Sequence, residues 1–414
     1  MNAEIISIGN ELLIGQVINT NASWIAEQLT KIGFTISHIT TVGDNKSDII
    51  NVLRQVNIRS GLVLITGGLG PTSDDITKPA LCEYFETDLR FDDNVFKYIC
   101  EFLALRNITV NDLNRKQAEV PTSCKVIYNE IGTAPGIWLL KDTTIFIAMP
   151  GVPFEMKQMM EKWILPELQK TFALPVIQQK TLLTHGIAES KLASNLSKWE
   201  EALPENIKLA YLPSPGIVRL RLTATNNDKQ HTEQLLQLHL NQLHKLVADY
   251  FFGYDDDTME EIVGKLLIKK NRTFSAAESC TGGNVSKMVV SVPGSSEYFK
   301  GSIIAYSNKT KIYNLGIDAT LIIDYGAVSK PVVEAMAKSC LSIFGTDYTL
   351  AVSGIAGPSG GTAEKPVGTV WIALAKKGGV VSELFHFGDN RERNIQKASM
   401  AALNMLRKEL LNDK

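Results

Sequence analysis

The chain has 414 residues, 44% of them hydrophobic and 21% charged, with a formal net charge of -2. That length exceeds one ordinary core and implies two or three domains, and the near-neutral balance excludes a global pull towards nucleic acid or anionic membrane. Five scattered cysteines, none in a CxxC pair, exclude a disulfide framework and a zinc knuckle and fit reduced thiols in a cytoplasmic protein; no signal peptide and no apolar run of roughly 18 residues, enough to span a membrane, is expected.

The predicted elements begin with a strand over Glu4–Ile8 that ends at Gly9. A helix follows over Ala22–Lys31, with Asn21 as its N-cap and Gly33 as its stop. Thr35–Val42 reads as a strand. Ser47–Ile58 reads as a helix, because Ile49, Ile50, Leu53 and Val56 recur at helical spacing. Leu62–Thr66 is a short buried strand. This alternation predicts a parallel sheet with right-handed crossovers. Thr144–Ala148 is a further buried strand, followed by helical residues to about Lys170. The middle has a different texture. Gln179–Thr184 reads as a strand and Ser190–Lys198 as a helix. Lys208–Tyr211 and Ile217–Thr225 form a hairpin around Pro213-Ser-Pro-Gly216, and a long helix runs from Asp228 to Tyr250. Thr258-Met-Glu-Glu261 is a capping box that opens the last segment. Strands at Thr273–Ala277, Ser302–Tyr306, Tyr348–Val352, Val370–Ala375 and Val380–Phe387 alternate there with helices, the last starting near Asn390.

Chemistry concentrates at the ends of these strands. The run from Gly354 to Trp371 carries Gly354, Gly357, Gly360, Gly361, Thr362 and Lys365 between two buried strands, a composition suited to cradling phosphate or carboxamide. A second glycine turn, Glu278-Ser-Cys-Thr-Gly-Gly283, joins a strand to a helix. Two such turns point to a ligand crevice at the sheet edge. Lys311, five positions after Tyr306, could lose its proton if partly buried and activate a serine; Ser279, Ser296, Ser307 and Ser353 compete for that role. Amides at Gly282, Gly283 or Gly354 could hold an oxyanion. Cys280 is set aside as a buried thiol without a nearby histidine. Arg391 and Arg393 fall in the first turn of the last helix, where cations are unfavourable unless an anion is shared with the helix amides; the alternative is a solvated helix start.

Near the amino terminus, Ile8–Gly15, Asn19-Thr-Asn21, the loop Gly67-Gly-Leu-Gly-Pro-Thr-Ser-Asp-Asp-Ile-Thr77 and Met149–Glu155 all follow strands. Backbone amides at Gly67, Gly68, Gly70 and Thr72 could face phosphates, and Asp74 and Asp75 could hold a hard cation. The plainer reading makes the two aspartates helix-start acids. Asn129–Gly136 is another glycine-bearing loop that could line this site.

The motifs AESCTGG, GSSxxFxGSIIAYSNxxK and SGIAGPSGGTxEKPVGTV resemble, in sequence and order, the C-terminal domain of the CinA family. The resemblance implies hydrolysis of the carboxamide of nicotinamide mononucleotide to nicotinate mononucleotide and ammonia, with Ser279, Ser296, Ser353, Tyr306 and Lys311 as catalytic candidates. Glu278, Thr281, Gly282, Gly283, Asn308, Gly354, Gly357, Gly360, Gly361, Lys365 and Arg391 are its substrate-binding candidates, and no cofactor is required. The first segment is similar to the N-terminal domain of the same family, a molybdopterin-binding fold. It departs from the cofactor enzymes at Asp74-Asp75, where they carry Arg-Asp, which weakens an anionic-pterin site and favours a metal. That implies ADP-ribose hydrolysis to AMP and ribose 5-phosphate with Mg, Mn or Co, with Glu11, Asn19, Asn114 and Lys116 as further candidates. The implied architecture is α/β: a three-layer molybdopterin-binding-like domain at 1–170, a small α+β KH-like module at 171–252 and an α/β deamidase domain at 253–414. No GXXG occurs between 171 and 250, so nucleic acid is not an expected partner, and a spacer or dimerisation role in a homodimer is expected of the module. The competing readings are a non-catalytic scaffold in competence or damage responses and a molybdopterin-binding protein.

Overall fold

In the computed structural model, which describes residues 1–56, 60–72 and 74–413, the first apolar runs form strands buried on both faces. Ile58, the expected end of one helix, and Ser73 of the glycine loop lie outside the described residues. The strands are β1 (Asn2–Ile8), β2 (Thr35–Val42), β3 (Leu62–Thr66), β4 (Leu89–Phe91), β5 (Glu119–Pro121), β6 (Lys125–Ile127), β7 (Gly136–Lys141) and β8 (Thr144–Met149). A six-stranded sheet runs β2-β1-β3-β8-β7-β6, while β4 and β5 pair separately. The sheet is mixed rather than wholly parallel. The tight turn at Asp142, with positive φ, reverses the chain so that β7 pairs antiparallel with β8, and β6 with β7.

Helices cover both faces. Ile25 and Leu29 of Thr20–Lys31 pack with Ile5, Leu64, Ile147 and Met156 on one side. Leu53 of Lys46–Val56 and Leu81 of Thr77–Phe85 pack with Ile6, Ile65 and Phe146 on the other. This is the expected three-layer arrangement. The first long helix is capped by Asn19 rather than Asn21: the Asn19 carboxamide accepts from the Ala22 amide at 3.1 Å, whereas Asn21 donates to the Gly151 carbonyl at 2.7 Å. The expected helix ending near Lys170 is broken by a π turn at Met160–Ile164, ahead of Pro166, which has no amide to donate.

One compact unit comprises Met1–Gln178 with Thr225–Glu233, the other Gln179–Ala224 with Gln234–Lys414. The sheet of the middle segment runs β10 (Ile207–Ser214), β11 (Ile217–Asn226), β9 (Val176–His185) and β12 (Phe251–Tyr254). Val218, Leu220, Leu222 and Ala224 alternate inward along β11. Strand β12, which was not expected, follows the long helix, and that helix stops at Leu246 rather than at Tyr250.

The C-terminal sheet runs β14 (Phe299–Ile304), β13 (Phe274–Glu278), β15 (Tyr348–Gly354), β16 (Thr369–Lys376) and β17 (Gly379–His386). The first three are parallel and the last two antiparallel. Met259–Lys270, opened by the expected Thr258 capping box, and Arg391–Asn412 cover one face through Val263, Leu267 and Leu403. Lys330–Phe344 covers the other through Val332, Met336 and Cys340. The carboxyl ends of β13, β14 and β15 therefore open at one edge.

Candidate active site

At that edge, β13 runs into the turn Ser279–Gly283. The Ser279 amide donates to the Val352 carbonyl at 2.9 Å, which ties the turn to β15. Gly282 and Gly283 adopt φ of 60° and 99°, a path that side-chain-bearing residues resist. Their amides are engaged, Gly282 with the Ser279 carbonyl at 3.1 Å and Gly283 with the Glu278 carboxylate at 3.0 Å. They are not the bare oxyanion donors that their glycine content led us to expect. Glu278 is fully buried, and its oxygens also accept from the amides of Val285 and Ser286 and from the Ser286 hydroxyl. It holds the start of helix Asn284–Val290, so it positions the serine turn instead of facing a ligand. The Thr281 hydroxyl, in the same turn, is buried without a partner.

Lys311 reaches this turn from helix Asn308–Leu315. It is 1% exposed, and its Nζ donates to Ser279 Oγ at 2.8 Å and to the Ala305 carbonyl at 2.7 Å, with the Tyr306 carbonyl at 3.4 Å. Burial pulls its pKa below the ordinary lysine value, against a smaller opposing effect from Cys280. A neutral amine beside a hydroxyl is the arrangement of a serine–lysine general-base pair. Burial pushes the Cys280 thiol up to about 12, so it is not a competing thiolate.

Arg391 completes the cluster. Its guanidinium donates to the Gly357 carbonyl at 2.8 Å and to the Tyr306 hydroxyl at 3.2 Å. The loop that carries Gly357, Gly360 and Gly361 is closed by Ile355 to Thr369 at 2.9 Å and Gly368 to Ile355 at 2.8 Å. At Gly357, where φ is 91°, a side chain would run into Val367. Asn308 lies two positions after Tyr306 and one after the N-cap Ser307, whose hydroxyl accepts from the Thr310 amide at 3.1 Å.

Other expected residues lie elsewhere or are committed to other partners. Ser296 sits in the short turn before β14, at the amino end of the parallel strands and so at the opposite edge from Ser279. Ser353 is buried, and its hydroxyl donates to the Ala327 carbonyl at 2.8 Å. The Lys365 amine is held by the Tyr325 carbonyl at 2.8 Å. Arg393 does not share an anion with Arg391: two positions apart on a helix, they project to different faces, and Arg393 lines a separate cavity with His185 and Lys397.

In the first unit, a cavity of about 390 Å³ brings together the glycine loop, Glu11, Asp74 and Asp75 with Asp44, Gln117 and Glu155. At Gly67 a side chain would strike the Ile8 carbonyl, so the loop lies flat on the end of β1. Asp75 organises this loop: it accepts from the Gly70 amide at 2.8 Å and from the Thr72 amide and hydroxyl at 2.9 and 2.6 Å. Asp74 is exposed. Asn19 is engaged with Ser7 at 2.9 Å and with its helix cap, and Asn114 forms a capping box with Asn111. Lys116 is exposed. Among the described residues, no three His, Cys, Asp or Glu side chains group closely enough to hold an ion by themselves. No helix there is long and apolar enough to cross a membrane.

Family models match three stretches of the chain. A probable molybdopterin binding domain matches residues 4–170, a damage-inducible protein CinA KH domain 179–253, and a CinA C-terminal domain 256–410. A CinA-like protein of Flavobacterium psychrophilum is 44% identical over 100% of this chain and 99% of its own length. The chain belongs to the CinA family. A CinA-like protein of Cytophaga hutchinsonii is 42% identical over 99% of this chain and 98% of its own. A crystal structure of a CinA superfamily protein from Klebsiella pneumoniae is 28% identical, covers 38% of this chain and 100% of that one, and has a TM-score of 0.37.

Two groups in this CinA chain escaped sequence reasoning. Asp44 precedes a helix and looks like an ordinary turn acid, yet it borders the first cavity. Lys78 follows the glycine loop and has no motif of its own. It is buried, with its amine on the carbonyls of Gln117 and Glu119 at 2.9 Å each, and burial lowers it to about 8.

Proposed function

We infer that the C-terminal domain hydrolyses the carboxamide of nicotinamide mononucleotide to nicotinate mononucleotide and ammonia. The observation that carries this reading is the buried Lys311 amine 2.8 Å from Ser279 Oγ. Neutral Lys311 takes the serine proton as Oγ bonds to the carboxamide carbon. The resulting ammonium stands beside the developing oxyanion. It returns the proton to the departing nitrogen, ammonia leaves, and water cleaves the acyl ester with Lys311 again as base. Arg391, anchored by Gly357 and Tyr306, supplies a cation for the substrate phosphate. The test is ammonia release from nicotinamide mononucleotide by purified wild type beside Ser279→Ala. Folded wild type that releases none sinks the reading.

A second reading concerns the N-terminal domain: metal-dependent hydrolysis of ADP-ribose to AMP and ribose 5-phosphate. The carboxylates of Glu11, Asp44, Asp74, Asp75 and Glu155 around one cavity favour it over binding of an anionic pterin. With both Asp75 oxygens engaged, the site fits an ion of the magnesium type, which takes one or two carboxylates and completes its shell with water and substrate phosphate. Asp74 would hold that ion, and when bound it would neutralise phosphate charge. Wild type should turn over ADP-ribose with supplied Mg²⁺, Mn²⁺ or Co²⁺, and Asp74→Ala should not. Equal rates with and without metal would overturn this assignment.

A further inference from the structure

A cavity of about 820 Å³ in the second unit lies away from the Ser279–Lys311 pair. One wall comes from the middle segment: His185, the start of helix Glu189–Glu201, and the hairpin tip Pro213–Gly216. The other comes from Phe385, Phe387, Arg393 and Lys397. Two properties of these walls converge. Arg393 and Lys397 stand one turn apart on the same helix face, and neither forms an ion pair among the described residues. A cation in the first helical turn opposes the helix dipole, so an unneutralised Arg393 there is costly unless it meets an anion. Facing them, helix Glu189–Glu201 begins at Ala188, which offers no side-chain cap, so its first amides add to the positive potential. Arg219, bonded to the lining Ser214 hydroxyl at 2.9 Å, adds a further cation behind the wall, against the single lining carboxylate of Glu189.

The second property is aromatic. Phe385 and Phe387 are stacked, with centroids 5.6 Å apart and planes 11° from parallel. They are only partly buried against the core, so their outer faces are available to a flat ring. His185 lines the cavity as well; its Nδ1 is enclosed and has no hydrogen-bond partner.

We propose that this cavity is a second ligand site, for a phosphorylated nucleoside: the base lies on the Phe385–Phe387 pair and the phosphate meets Arg393, Lys397 and the amides that follow Ala188. Its volume is that of a small-ligand pocket, and its walls close it on two sides, which favours a mononucleotide over a strand. Because Arg391 and Arg393 share one helical turn, a ligand held here touches the element that positions the cation of the catalytic cluster.

The test uses the full chain and azido-AMP as the probe, with photolabelled peptides mapped. Label should appear in peptides from 185–217 or 385–401 and be displaced by AMP. Arg393→Glu with Lys397→Glu should cut that labelling by about tenfold or more, the effect of removing two charge-assisted contacts. The neutral pair Arg393→Gln with Lys397→Gln should lower it too, which covers the case in which charge reversal harms folding. Labelling confined to the other two clefts, or unchanged by both double variants, overturns the proposal. Displacement by oligothymidylate but not by AMP also overturns it, in favour of strand binding.

Discussion

Replacing Lys311 with methionine separates chemistry from folding. The two side chains are similar in length, and the site is 1% exposed, so the apolar replacement fills the same space. What disappears is the donor to Ser279 Oγ at 2.8 Å and to the Ala305 carbonyl at 2.7 Å. An orphaned buried carbonyl costs about 1–3 kcal/mol, but removing an amine that burial already disfavours offsets part of it. The net change in stability should stay within about 2 kcal/mol. Loss of a general base should lower kcat by roughly 10²–10⁴, or about 3–5 kcal/mol of barrier. The pH dependence follows from the same burial. The amine must be neutral to act, so the rate should rise with pH through a limb centred below the ordinary lysine value of 10.5. Between the lowered folded value and 10.5 the unfolded chain binds more protons, so wild type should gain stability over Lys311→Met as pH rises through that window. Ammonia release from nicotinamide mononucleotide across pH, with urea unfolding of both proteins, measures all of this. A well-folded Lys311→Met that keeps kcat within about threefold of wild type would refute the general-base role.

Other expectations follow from the same geometry. Ser279→Ala should abolish deamidation. Ser353→Ala should keep the rate within a few-fold and cost about 1 kcal/mol in urea unfolding, because its hydroxyl serves only the Ala327 carbonyl. Glu278→Ala should destabilise the C-terminal domain by about 2–3 kcal/mol by uncapping helix Asn284–Val290, and activity should fall with it as the serine turn loosens. His185 is held down at about 4, first by burial and then by Arg407 and Lys408. Between its ordinary 6.5 and that value the unfolded chain takes up a proton that the folded chain does not, so stability should fall as pH drops, by at most about 3 kcal/mol. His185→Gln should flatten that dependence in unfolding experiments compared near neutral pH and near pH 4.5; an unchanged slope would show that other groups carry it.

The amino-acid sequence determined the local features. Apolar runs placed β1, β3, β13, β15 and β16, because strands buried on both faces must be continuously hydrophobic. The capping box at Thr258 was legible because a cap is a contact within four residues, and the last helix was placed at its start near Asn390. The three C-terminal motifs carried the family, and Ser279, Tyr306 and Lys311 stood among their polar residues, with Arg391 singled out separately at the start of the last helix. The chain between 77 and 141 was not legible: its helices are flanked by three-residue strands too short to show a period, and the reversal at β7–β8 follows from a turn. Only the tertiary structure decided which serine meets Lys311. Ser279 and Lys311 are 32 positions apart, and nothing local distinguishes Ser279 from Ser296 or Ser353. Parallel pairing of β13 with β14 and β15 brings Ser279 to the lysine and sends Ser296 to the far edge, while the inward pleat of β15 commits Ser353 to Ala327. The same holds for Arg391 and Arg393, alike in sequence but projecting to different faces of one helical turn. Long-range pairing sets which polar groups share a volume, and a one-dimensional pattern carries no record of it.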